Sequence, residues 1–124
     1  MPASSLDLWP EIPTEKLRTP VSILREQAAL LGQKTQNLLE AGVSTTTFEG
    51  SFRHSFFILA PSLDYSTELF TVEHRIELYP VFGIANGIRV RMDTEDQFIG
   101  WIRIQLSSDA TQRLVQALLA QINS

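Results

Sequence analysis

The chain is predicted to be an α+β domain with an N-terminal helix, a four-stranded antiparallel meander sheet and two C-terminal helices. Three observations carry this prediction. Helical spacing begins at Thr19-Pro20, β-branched and aromatic runs fill the middle of the chain, and helix-start signals return at Thr94 and at Ser107-Ser108. The connections between the strand-like runs are shorter than the dozen or so residues that a parallel crossover needs, which makes the sheet antiparallel.

Residues 1–19 read as an extended arm. Pro2, Pro10 and Pro13 break regular structure there, and Leu8 and Trp9 are its apolar anchors. An exposed indole wastes much apolar area, so Trp9 is expected to dock on the domain or on a second copy of it. Residues 20–124 form one α+β domain in this reading. Pro20 suits a first helical position, and Val21, Leu24, Ala28, Leu31, Thr35 and Leu38 recur at three and four. That stripe predicts a helix over about 20–40, closed by Gly42. It lasts under three heptads and lacks ordered flanking charge pairs, which favours a helix lying on a sheet over a coiled coil.

"VSTTTFEGSFRHSFFILAPS" predicts a hairpin turning at Gly50. A third strand over about 67–79 sets Phe70, Val72, His74, Ile76 and Leu78 against Thr71, Glu73, Arg75 and Glu77. Asn86-Gly87 is the strongest turn signal, and a fourth strand follows at about 88–92. Residues 94–106 read as a helix capped by Thr94, with Gln97 three positions on and an acidic first turn. The alternative is a fifth strand with Phe98, Ile102, Ile104 and Leu106 on one face. Ser107 or Ser108 caps a last helix whose stripe is Leu114, Val115, Leu118, Leu119 and Ile122.

The bulk numbers narrow the function classes. At 124 residues, 44% hydrophobic and 19% charged, the chain fits one globular domain. The net charge is −4, and no third of the chain carries an excess of bases. Binding to nucleic acid or to an anionic membrane rests on Lys and Arg, so neither is the expected partner. The absence of cysteine excludes disulfides, thiol nucleophiles and cysteine-ligated metal. No basic start with an apolar core opens the sequence, and no run approaches the roughly 18 apolar residues of a membrane span. A cytoplasmic protein without cofactor or metal is expected.

His54 and His74 are the two histidines, both among alternating apolar residues. A turn centred near Asp64 would place them opposite each other, with Phe52 facing Ile76, Phe56 facing Val72 and Ile58 facing Phe70. A shift of two would keep the faces and lose the direct pairing. The pair reads either as an acid–base or metal site, or as two buried imidazoles bonded to backbone or to one another. Glu68, Glu73 and Glu77 are not on the same face, which weakens the metal reading. Burial is expected to depress both imidazole pKa values. Ser55 points away from His54, and no phosphate loop, HExxH, GxSxG or calcium loop is present. Arg89 and Arg91 share a strand face, where solvated edge charges are the plainer reading than an anion site. Trp101 reads as core.

The expected function is a small acidic, non-enzymatic protein-interaction module of adaptor, chaperone or immunity type, with a protein partner or self-association. Its contact would be Phe57, Leu59 and Leu69 on the sheet face that the helices leave free, with Arg53 and Arg75 in the rim. Cover of that patch by the arm or a C-terminal helix is the competing reading. The alternative function is a small-molecule pocket protein, or an enzyme, using His54 and His74.

Overall fold

The computed structural model describes residues 6–13 and 17–124. Its element order is α1 (Pro20–Lys34), β1 (Glu40–Phe48), β2 (Ser51–Ala60), β3 (Tyr65–Arg75), β4 (Val81–Ala85), β5 (Ile88–Met92), α2 (Glu95–Ser107) and α3 (Asp109–Ile122). The α+β architecture, with its leading helix, antiparallel sheet and two closing helices, is the one the sequence predicts. The sheet has five strands rather than four, in the meander order β1-β2-β3-β4-β5. The strand missing from the prediction is β4. It follows a proline and contains Gly83, two features that argue against a strand in sequence.

Each helix start is written locally. Thr19 Oγ1 accepts the Ser22 N–H at 3.1 Å with Pro20 at the first position of α1. Thr94 Oγ1 accepts the Gln97 N–H at 3.2 Å, and Gln97 Oε1 accepts the Asp93 N–H at 2.7 Å. Residues 94–106 are therefore helical, and the fifth-strand alternative for them falls. Ser108 Oγ accepts the Thr111 N–H at 3.2 Å and caps α3.

Two predicted boundaries move. α1 stops at Lys34 instead of near 40, because Gln36 and Asn37 adopt left-handed backbone (φ 53° and 63°) and Asn37 N–H returns to the Gly32 carbonyl at 2.8 Å. Thr35 Oγ1 fastens this turn by donating to Leu31 O and accepting from Leu39 N–H. Gly42 is thus no helix terminator. It lies in β1 opposite Phe57. β3 ends at Arg75, where Leu78 N–H bonds the Arg75 carbonyl at 3.1 Å, so Ile76 and Leu78 belong to a turn and not to the strand.

The β4–β5 connection is the Asn86-Gly87 turn read from sequence, with φ of 53° and 77°. Gly87→Ala would force a side chain into left-handed backbone, and a loss of about 1 kcal/mol in chemical denaturation is expected. A variant as stable as the parent would show that this turn does not constrain the hairpin.

One sheet face carries the main core. Phe56, Phe70, Val72, Val81 and Met92 meet Ile23 and Leu24 of α1 and Phe98, Trp101 and Ile102 of α2. A second cluster joins Leu39, Ile58 and Ala60 to Leu118 of α3, with Leu114, Val115, Leu119 and Ile122 around it. α1 packs over β1 and β2, and α2 over β4 and β5. No described helix is long and apolar enough to cross a membrane.

In the described part of the arm, Trp9 is 76% exposed, and Leu6, Leu8 and Ile12 are exposed too. Docking of Trp9 onto its own domain is not what the chain adopts. Pro10 and Pro13 favour extended backbone, and Asp7 caps the Trp9 N–H at 3.0 Å, so the arm has local order without burying its indole.

Candidate functional site

The histidine site begins with strand register. β2 and β3 pair so that His54 faces Val72 and Phe52 faces His74, two residues off the register read from the turn. The direct His54–His74 pairing is therefore wrong. Both rings nonetheless stay on the helix-covered face, because a shift of two preserves the side-chain alternation. They are diagonal neighbours whose centroids lie 4.9 Å apart, with Phe52 stacked on His74 at 5.4 Å. Diagonal side chains of this size reach each other across a twisted antiparallel pair.

The rings are 2% and 7% exposed and hydrogen-bonded at every nitrogen. The Arg75 carbonyl can only accept, so His74 Nδ1–H donates to it at 2.7 Å. A neutral His74 then offers Nε2 as acceptor. His54 Nε2–H donates to that atom at 2.8 Å, which leaves His54 Nδ1 to accept the Thr45 hydroxyl at 2.8 Å. With both rings neutral, the Arg75 carbonyl fixes both tautomers. Desolvation, then the adjacent His74, then the charge of Arg25 lower the His54 pKa from 6.5 to about 4.

This arrangement limits the chemistry. No imidazole nitrogen has a lone pair or proton to spare for a substrate without breaking the chain of hydrogen bonds. Two nitrogens bound to one tetrahedral zinc would stand about 3.3 Å apart and both lack protons, whereas these two share one at 2.8 Å. Among the described residues no cluster of three or more His, Asp or Glu could hold a metal ion.

A recess of about 320 Å³ opens beside the pair. Val21, Phe52, Ile76 and Leu78 form its apolar walls, Thr19 and Thr45 complete the lining with hydroxyls already bonded to Ser22 and His54, and Arg25 stands at its helix side. None of these seven positions, Thr19, Val21, Arg25, Thr45, Phe52, Ile76 and Leu78, was among the residues singled out as site candidates. The available signal was the i, i+4 spacing of Val21 and Arg25, which puts them on one face of α1. Thr45 sits directly across β1 from His54, a contact that only the register reveals.

The proposed interaction patch is placed differently from its prediction. The β2–β3 register shifts between Phe56 and Phe57, leaving Leu69 as the extra residue of β3. That bulge turns Leu69 into the two core clusters and away from Phe57 and Leu59. Phe57 and Leu59 remain on the outer face, flanking Gly42. Arg53 lies 3.6 Å from Glu73, which also accepts from Arg89 at 3.2 Å, while Arg75 is exposed beside the Ser51 end of β2. Arg89 further covers the Phe82 ring at 4.3 Å and Arg91 pairs with Asp93 at 2.8 Å, so these two arginines are engaged with their own chain. Trp101 is core, edge-on to Phe70. Neither patch nor recess can be assigned by likeness: no family model, curated protein or solved structure matches the chain.

Proposed function

We propose that the chain is a small-molecule-binding protein whose ligand is a small carboxylic acid with an apolar body, held in the recess beside His54 and His74. The observation that carries this reading is the recess itself. It has apolar walls, a floor made by a fully bonded imidazole pair, and one cation at its side. At about 320 Å³ it sits at the low end of small-molecule sites, which suits a ligand of few heavy atoms. Arg25 has no carboxylate partner among the described residues and is near enough to His54 to depress its pKa. A ligand carboxylate there would find a charge-assisted hydrogen bond. Binding is favoured over catalysis because the ring nitrogens are already consumed. The protein-interaction reading rests on Phe57 and Leu59 alone once Leu69 has turned inward, and it is the weaker of the two.

The test is NMR titration with short carboxylic acids such as hexanoate and benzoate, each beside its primary amide. Shifts are expected at Val21, Phe52, His54, His74 and Leu78. Arg25→Gln is expected to weaken the acids about tenfold, the loss of one charged hydrogen bond, and to leave the amides unchanged. Val21→Trp should fill the recess and abolish both. Acids that bind elsewhere, or that ignore Arg25→Gln and Val21→Trp, would contradict the proposal.

A further inference from the structure

A slot runs over the middle of the sheet between α1 and the α2–α3 pair. Its two halves have volumes of about 610 and 400 Å³ and meet at Gln27, Lys34, Leu106 and Gln112. Ile23, Ile99, Ile102 and Leu106 line one half, and Leu31, Phe56, Ile58, Val115 and Leu119 line the other. Arg18, Lys34 and Arg103 stand along it. Arg18 pairs with Glu26, while Lys34 and Arg103 meet no carboxylate among the described residues. The slot is therefore apolar along its walls and positive along its rim.

The arm has the opposite character. Asp7 and Glu11 are its charges between residues 6 and 13, and Leu6, Leu8, Trp9 and Ile12 stand exposed around them. Pro10 and Pro13 favour a polyproline-type backbone, whose repeat of three puts Trp9 and Ile12 on one edge, with Glu11 between them on another. Such a segment loses little further conformational freedom on docking.

We propose that this slot takes the N-terminal arm of a second copy of the chain, with Trp9 and Ile12 in the apolar groove and Glu11 near Lys34 or Arg103. A second copy is the occupant because the chain's own arm lies outside, with its indole in solvent. Arg18 lies both at the root of the arm and in the slot wall, which suits two copies exchanging arms reciprocally about a twofold axis. Each buried indole contributes roughly 200 Å². With the flanking aliphatic residues, two exchanged arms reach the order of 1,000 Å², the lower range of specific interfaces.

The experiment is native mass spectrometry and light scattering on the full chain. A dimer is expected, and Trp9→Ala with Ile12→Ala should reduce it to a monomer that still unfolds cooperatively, with a melting temperature below the dimer's and independent of protein concentration. Glu11→Lys alone and Lys34→Glu with Arg103→Glu alone should each weaken the dimer. Mixing the two, one isotopically labelled, should restore a heterodimer, because each arm then meets a slot of opposite charge. A parent chain that stays monomeric up to millimolar concentration would overturn the proposal. So would a dimer indifferent to the arm variants, or a charge-swapped mixture that gives no heterodimer.

Discussion

Gly83→Ala is expected to destabilise the chain by about 2–3 kcal/mol, a large effect for one methyl group and one typical of overpacking a fixed core. A Cβ at this position would lie 2.6 Å from Trp101 Cζ2 and under 3 Å from two further atoms of the same ring. The indole cannot simply swing aside. It is buried and meets Phe70 edge-on at a centroid distance of 5.0 Å. Gly83 is thus the place where α2 is allowed to approach the sheet, and β4 accepts a weak strand former to admit the ring. Urea denaturation would measure the cost, with Trp101→Leu as the control background. Trp101→Leu alone should cost roughly 2–4 kcal/mol as a cavity, but Gly83→Ala added to it should cost far less than in the parent. Strict additivity would mean that the glycine is needed for another reason.

The second large effect is a loss of stability in acid. The unfolded chain takes up a proton on His54 near pH 6.5, whereas the folded chain resists until about pH 4. Below the unfolded pKa the unfolded state therefore binds more protons, and stability falls as the pH falls between these values. The full contribution is on the order of 3 kcal/mol, present above pH 6.5 and gone below about pH 4. Carboxylates also titrate toward the lower end of this window, so the informative quantity is the difference between the parent and His54→Phe at each pH. That variant should lose the histidine-dependent slope. It should also be destabilised by about 2–3 kcal/mol at pH 7, since the Thr45 hydroxyl and His74 Nε2 lose their partner. Adding His74→Phe should cost much less than His74→Phe costs alone, because the orphaned acceptor disappears with its ring. Parallel pH curves for parent and variant would show that His54 is not held neutral by the fold.

These two sites also show what the residues disclosed unaided. Thr94 and Ser108 act through bonds to neighbours three positions away, and Asn86-Gly87 through its own positive φ, so their roles can be read locally. The meander follows from connection lengths in the same way. Gly83 could not be read, because its reason is a tryptophan from another element. The end of α1 was hidden because Leu38 continues the apolar spacing of the helix, while the turn at Gln36 and Asn37 carries no glycine.

Register was the costliest gap. One bulge residue, Leu69, and a turn including Pro61–Leu63 displaced the β2–β3 pairing from the simplest alignment. Face assignments survived on the histidine side of the bulge and failed at Leu69 itself. The burial of both histidines was legible from alternation. Their diagonal placement, the tautomers and the recess were not, since these depend on the β2–β3 register, Thr45, Arg75 and the placement of α1.

His54 and His74 form a fully bonded pair, which we propose as the floor of a ligand recess. The most direct measurement is the imidazole ¹⁵N spectrum of the full chain between pH 7.5 and 4.5, with and without hexanoate. At neutral pH the free protein should show His54 protonated on Nε2 and His74 on Nδ1, with His54 holding its neutral shifts well below pH 6.5. Hexanoate should move both ring signals in the parent and neither in Val21→Trp. A His54 that titrates near 6.5, or rings indifferent to every carboxylic acid tried, would contradict the account.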